Sequence, residues 1–268
     1  PKTCEKRWMV KMSYKNIIVD KKKTYAIIQF NRAKEMNALS KEMRLEFNDA
    51  LEDVEKDAQM RVLIITGGEF VFSAGMDIKE MSLLSNVEID DYFESMKRYL
   101  NKIYSYPKPV IAAVGGIALG GGFNIVTVCD LIVASESAIF CHPELKFGLS
   151  PLFYPLSQIV GVMKAKEIVM LGEPIGANEA ERIGLINKVA PPEKFMQEAE
   201  KMAEILASRS VKALEELRKI CSVVPRMDKI AALDLEMSIG GMLFSRDERK
   251  IHMNEVLFLE KLRKKKQK

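Results

Sequence analysis

The chain has 268 residues, 48% of them hydrophobic, and carries 41 Lys or Arg against 37 Asp or Glu for a formal net charge of +4. That supplies one substantial core and a smaller helical appendage, and the weak basic excess argues against a dedicated nucleic-acid binder. No run of about 18 apolar residues marks a membrane span, residues 1–11 lack the apolar centre of a signal peptide, and neither CxxC spacing nor a Cys/His cluster suggests disulfides or zinc, so a reducing, cytoplasmic setting without bound metal is expected.

Met12 reads as a natural start, which makes residues 1–11 an expected N-terminal extension. Residues 24–30 read as a strand, and Ser40 as the N-cap of a helix that brings Met43, Phe47, Leu51 and Val54 onto one face. Residues 62–65 form the next expected strand. A helix follows over 90–104 with Phe93, Met96, Leu100 and Ile103 aligned, until Pro107 and Pro109 stop it and the chain re-enters a sheet at 110–114. Further strands are expected at 131–134 and 186–189. After Pro191 and Pro192 the pattern turns almost wholly helical, at 196–207, 211–223, 228–243 and 246–265. Short apolar strands alternating with amphipathic helices indicate an α/β fold, and the shift near 192 divides a core over 12–192 from a helical region over 193–268. Six of the last eight residues are Lys or Arg, an expected solvated tail.

Residues 108–144 carry the chemistry. An apolar strand runs into Gly115-Gly116, then Gly120, Gly121 and Gly122, without the Lys-Ser or Lys-Thr that a phosphate loop requires. What remains is exposed backbone N–H at a strand end, where glycines admit a carbonyl and a helix beginning near Gly122 favours negative charge. That is the construction of an oxyanion hole. A second donor is offered where the 62–65 strand ends in Thr66-Gly67-Gly68 and the chain continues Phe72-Ser73-Ala74-Gly75-Met76-Asp77-Ile78.

Together with Asn37-Ala38-Leu39, the stretch 140–148 and the stretch 177–189, these elements resemble the crotonase family, the enoyl-CoA hydratase/isomerase superfamily, over most of the chain from about residue 14. The resemblance implies a spiral of ββα units whose C-terminal helices build a trimer contact and cover the acyl site. It also implies a homo-oligomer, a trimer or dimer of trimers; Met237, Met242, Leu243 and Phe244 fit such an interface and equally fit an ordinary core stripe. The backbone N–H groups of Met76 and Gly121 would hold the thioester oxygen of an acyl-CoA, each donor being worth about 3 kcal/mol against the developing enolate charge. Ala74, Asp77 and Ile78 around the first donor and Gly120 beside the second would border the substrate, Asp77 by fixing its loop through backbone hydrogen bonds. Lys34, Met36 and Ala38 would meet the nucleotide end. No cofactor is implied beyond the CoA of the thioester itself.

The carboxylates separate the reactions. Hydratases of the family place two glutamates at the double bond, and the corresponding positions here hold Asn124 and Glu144. An amide neither takes nor gives a proton usefully near neutral pH, so Asn124 can orient a group while Glu144 serves as the single acid and base. One base beside an oxyanion hole suits a 1,3-proton shift, the isomerisation of an enoyl-CoA. Leu152 stands where certain relatives have an aspartate, which strengthens the single-base reading. Hydration of an enoyl-CoA or cyclic dienoyl-CoA is the alternative, with Asn124 holding the water; a hydrolase or decarboxylase would use the same oxyanion hole. A weakened fold that binds RNA or serves in assembly is a reading of another class. Phe123, Leu152, Phe153 and Tyr154 are expected to crowd the acyl pocket, with Phe153 and Tyr154 equally readable as packing residues. His142, two residues before Glu144, would share its face if the segment were extended, although such a histidine is more often structural.

Overall fold

The computed structural model describes residues 14–245 together with 250, 253, 254, 257 and 258. The expected extension over 1–11 and the basic run over 261–268 lie outside those residues, as do Cys4, His252 and most of the helix expected over 246–265.

In chain order the elements are β1 (Ile17–Lys21), β2 (Tyr25–Phe30), α1 (Lys41–Lys56), β3 (Val62–Thr66), β4 (Val71–Ser73), α2 (Ile78–Met81), α3 (Asn86–Tyr104), β5 (Val110–Val114), β6 (Ile117–Leu119) and α4 (Gly121–Thr127). They continue with β7 (Leu131–Ser135), β8 (Ile139–Cys141), α5 (Tyr154–Val160), α6 (Val162–Leu171), β9 (Ile175–Gly176), α7 (Ala177–Arg182), β10 (Lys188–Ala190), α8 (Phe195–Ala207), α9 (Val211–Val223) and α10 (Lys229–Phe244). Short 3₁₀ turns occupy Ala33–Glu35, Glu144–Phe147 and Val224–Arg226.

Two sheets result. The larger runs β1-β2-β3-β5-β7-β10 and the smaller β4-β6-β8-β9. Each turn of the chain sends one strand to each sheet before a helix intervenes: β3 then β4, β5 then β6, β7 then β8. This is the expected spiral of ββα units. Pairing is parallel across the middle of both sheets and antiparallel at β1/β2 and β8/β9.

The strands VLIIT, VIAAV and LIVAS are apolar apart from the terminal Thr66 and Ser135, because the larger sheet is covered on both faces. Leu63, Ile65, Val110, Ala112 and Ile132 turn towards the main core, with Phe47 of α1 and Tyr99 of α3. Val62, Ile64, Ile111 and Val133 turn the other way, onto α8, whose Phe195, Ala199, Ala203 and Ala207 repeat every four residues. The small side chains let α8 lie close to the pleat. Thus the first helix after the Pro191-Pro192 pair covers the sheet, whereas α9 and α10 extend beyond it.

Ser40 caps α1, its Oγ accepting from the Met43 N–H, and Met43, Phe47, Leu51 and Val54 are all buried. Three expectations need correction. Helix α3 begins at Asn86, because Ser85 and Glu88 form a capping box ahead of its first apolar turn. Its buried face is Tyr92, Met96, Tyr99, Leu100 and Ile103, so Phe93, half exposed, is off the core stripe. The strand expected at 186–189 forms at Lys188–Ala190, where its pairing with β7 begins. Helix α10 has almost no sidedness: Ala232 is its buried residue, and Ile230, Leu233 and Met237 are exposed. Among the described residues no helix is long and apolar enough to cross a membrane.

Candidate active site

The first glycine element is held by a buried amide. Asn37 has positive φ and is fully buried; its Oδ1 accepts from the Arg32 N–H at 2.8 Å, and its Nδ2 donates to the carbonyls of Gly67, Val71 and Phe72. Ser73 Oγ donates to the Asn37 carbonyl and accepts from the Gly75 N–H, while the Leu39 N–H donates to the Gly75 carbonyl at 2.8 Å. The loop that carries Met76 is therefore clamped along residues 37–39.

Beyond it, Asp77 caps α2 by accepting from the Lys79 and Glu80 N–H groups and pairs with Arg32 at 3.1 Å. Burial pushes the Asp77 carboxyl up, but the Glu80 N–H, the Arg32 guanidinium and the Lys79 N–H together leave it below its ordinary value. Its contribution to stability is present above the ordinary aspartate range and is lost as pH falls through the lowered value. Glu80 in turn pairs with Arg44, a buried guanidinium that lies 4.0 Å from the Tyr92 ring centroid.

The second element begins where β6 ends. Gly120 donates to the Cys141 carbonyl and has φ of 48°, a conformation that favours glycine, and α4 starts at the next residue. The two elements touch through their backbones. A Cβ on Gly75 would lie 2.7 Å from the Leu119 carbonyl oxygen and 2.9 Å from the Gly121 nitrogen, and one on Gly122 would collide with the Ser73 carbonyl. Met76 Cγ lies 3.6 Å from where a Gly121 Cβ would stand. Among the described residues neither the Met76 nor the Gly121 amide has a protein acceptor.

Next to this junction lies a cavity of about 570 Å³, bordered by Met76, by Asn124 and Val128 at α4, by Glu144, by the α3 face from Phe93 to Tyr104, and by Leu149, Leu152 and Tyr154. Glu144 is 8% exposed and Asn124 4%. The Asn124 Oδ1 has no partner among the described residues. Glu144 Oε1 lies 3.3 Å from the position a Gly120 Cβ would take, so that glycine makes room for the carboxylate. Another carboxylate bordering the cavity, Glu94, is two-thirds exposed and paired with Lys97 at 2.8 Å. One buried carboxylate and one buried amide thus face an apolar cavity beside two unpartnered amide donors.

The family model for enoyl-CoA hydratase/isomerase matches residues 20–267. The chain belongs to the enoyl-CoA hydratase/isomerase family. It is 37% identical over 254 residues to the crotonyl-CoA hydratase of Syntrophomonas wolfei, covering 93% of this chain and 97% of that one. To the mitochondrial enoyl-CoA hydratase of Pongo abelii it is 35% identical over 237 residues, covering 86% and 78%. Among solved structures it is similar to an enoyl-CoA hydratase from Bacillus anthracis, with a TM-score of 0.87 at 30% identity over 92% of this chain and 97% of that one. Membership makes the chain an acyl-CoA-processing enzyme of the hydratase/isomerase family.

Within this enzyme of the hydratase/isomerase family, Met76, Asn124, Glu144 and Leu152 border the cavity, and Gly120 and Gly121 stand behind it at the backbone junction. Lys34, Met36, Ala38, Ala74, Asp77 and Ile78 do not line it. Lys34 and Met36 are exposed on the turn before Asn37, Ala38 accepts from Arg32, Ala74 donates to the Met36 carbonyl, and Ile78 is 65% exposed. They lie around the Met76 loop, outside the cavity. Two of the expected crowding residues are corrected. Phe123 is fully buried against Phe140 and His142, on the core side of α4, and Phe153 does not border the cavity, leaving Leu152 and Tyr154 as lining.

His142 does meet Glu144, though not through an extended segment. Strand β8 ends at Cys141, Pro143 has ψ of 2°, and a 3₁₀ turn starting at Glu144 curls the carboxylate back, so that His142 Nδ1 lies 3.1 and 3.2 Å from its two oxygens. The sequence reading missed Asn37 as a hub and Phe93 and Arg226 as lining. The positive φ at Asn37 had no local signal beyond the Asn itself, and Arg226 arrives from the turn between α9 and α10, about 100 residues further along the chain than Asn124.

Proposed function

We propose that this enzyme isomerises an enoyl-CoA by a 1,3-proton shift. The observation that supports it is the pairing of a single buried carboxylate, Glu144, with a buried amide, Asn124, across one apolar cavity. A Glu144 oxygen takes the proton from the carbon α to the thioester. The C–H electron pair moves into the enolate, whose oxygen accepts from the Met76 and Gly121 N–H groups, and the same carboxyl returns the proton at the γ carbon. These steps need no group beyond the protein and the CoA of the thioester. Lys34, Met36 and Ala38, with Ala74, Asp77 and Ile78, are proposed to meet the nucleotide end of that CoA.

Hydration is the second reading. It is favoured by relatives named as hydratases and by the unpartnered Asn124 Oδ1, a ready acceptor for a water that Glu144 would activate. Supplying the protein with linear and cyclic 3-enoyl-CoA and 2-enoyl-CoA esters and weighing the products separates the two. Isomerisation leaves the mass unchanged and shifts the double bond. Asn124→Ala is then expected to keep turnover within about tenfold, since an orienting amide carries no proton. A gain of one water, together with a collapse of turnover in Asn124→Ala, would make the enzyme a hydratase.

A homo-oligomer, trimer or dimer of trimers, is proposed as the working assembly, supported by the exposed apolar side chains of Ile230, Leu233, Met237 and Met242 on α10. Sedimentation at micromolar concentration is expected to report a mass at least three times that of the chain; a monomer under those conditions contradicts it. Tyr154 and Leu152 narrow the acyl cavity, which supports a short or cyclic acyl group.

A further inference from the structure

We infer that His142 is the positioning residue of Glu144, held as the neutral tautomer with its proton on Nδ1. The inference rests on the proton-transfer role proposed for Glu144, and concerns how that carboxylate is kept in place.

His142 is fully buried and lies against the Phe123 ring, with centroids 4.6 Å apart. Its Nδ1 is nearly equidistant from the two Glu144 oxygens, at 3.1 and 3.2 Å. Its Nε2 is buried with no partner among the described residues. These contacts select one protonation state. An ionised carboxylate is acceptor-only, so Nδ1 must carry a hydrogen to meet it. A second proton, on Nε2, would bury an N–H with nothing to receive it, and moving the single proton to Nε2 would set the Nδ1 lone pair against two oxygens. The tautomer with hydrogen on Nδ1 leaves only an unpartnered lone pair in the core.

The consequence falls on the softest torsion of the glutamate. The terminal torsion of a Glu side chain is broad, and free rotation would sweep the carboxylate edge away from a substrate carbon. One N–H shared between both oxygens holds the carboxylate plane from behind, and on another side Gly120 leaves Oε1 the room that a side chain would fill. The remaining direction opens onto the cavity that Asn124 and Met76 also face. When an oxygen takes the substrate proton, the Nδ1 hydrogen stays on the imidazole and continues to donate to the other oxygen. His142 therefore orients the base without exchanging protons with substrate.

Two variants separate this role from packing. In His142→Asn the Nδ2 stands at the same number of bonds from the backbone as Nδ1 and keeps a donor; in His142→Leu a methyl group takes that place. Turnover in His142→Leu is expected to fall about 100-fold, the scale of a misplaced reacting group, with KM and the affinity for a saturated acyl-CoA unchanged, and His142→Asn to recover most of the loss. The full-length protein labelled with ¹⁵N-histidine gives an activity-independent readout, simple because the chain has only two histidines. A signal absent from either variant and carrying hydrogen on Nδ1 alone is the expected result. Wild-type kcat in His142→Leu, or a His142 protonated on Nε2, overturns the proposal. Should His142→Leu fail to fold, His142→Asn and the wild-type spectrum decide it: a 100-fold loss in a folded Asn variant overturns it. Should the wild type turn over no ester at all, the reading of Glu144 as proton carrier fails, while the imidazole spectrum still decides the tautomer.

Discussion

Glu144→Gln is expected to lower turnover of enoyl-CoA esters about 10³-fold, equivalent to ~4 kcal/mol of transition-state stabilisation, while affinity for a saturated acyl-CoA stays close to that of the wild type. The substitution is nearly isosteric, so the 3₁₀ turn that carries the side chain and the room left by Gly120 are kept. What is lost is the ability to take a proton. No nearby group replaces it: Asn124 is an amide, and Glu94 lines the same cavity but is turned to solvent and paired with Lys97. Single-turnover product analysis beside calorimetric titration of a saturated thioester separates chemistry from binding. Turnover retained within tenfold would remove Glu144 from the proton path and with it both the isomerase and the hydratase readings.

Gly75→Ala is expected to lower kcat by about 10²- to 10³-fold, the scale of one lost oxyanion donor. Only proline would delete either amide, and it would also fix φ and add a ring at the site, whereas this position controls the spacing of the two donors. Gly75 has φ of 90°, and its Cβ would press on the Leu119 carbonyl oxygen at 2.7 Å and the Gly121 nitrogen at 2.9 Å. Those atoms are backbone and cannot swing aside, so the Met76 loop must withdraw from Gly121 and the two donors cease to converge. Strain at such a backbone position adds about 1–3 kcal/mol of destabilisation. Gly184→Ala supplies the control. Its φ is 75° with nothing within 4 Å of the added carbon, so it carries a backbone cost of about 1–2 kcal/mol and leaves kcat unchanged. Urea unfolding and steady-state kinetics on both variants test the pair. Equal kcat in Gly75→Ala and wild type would show that the convergence of the Met76 and Gly121 amides is not used.

Much of the fold was legible because its determinants are local. The 3.6-residue spacing of Met43, Phe47, Leu51 and Val54 and the Ser40 cap specify α1, and the apolar runs of β3, β5 and β7 specify buried strands. Errors arose where periodicity served two purposes. Phe93 shares the spacing of the α3 core stripe, but Tyr92 and Tyr99 take the buried side and leave Phe93 to the cavity. Phe123 sits beside the glycines that carry the chemistry, yet the α4 turn aims it into the core, against Phe140 and His142.

Residue identity and short-range spacing are enough to specify the alternation of strands and helices, the two glycine elements, membership of an acyl-CoA-processing family and the presence of Asn124 and Glu144 in place of a pair of glutamates. Three facts come from the folded molecule alone: the Gly75 and Gly120–Gly122 backbones meet, His142 reaches Glu144 through a turn, and Arg226 shares a cavity with Asn124. The first and last depend on how two sheets and their crossover helices stack, since contacts between segments tens of residues apart are set by the packing of the whole core, which no local pattern encodes, and the second on where β8 ends and the 3₁₀ turn begins.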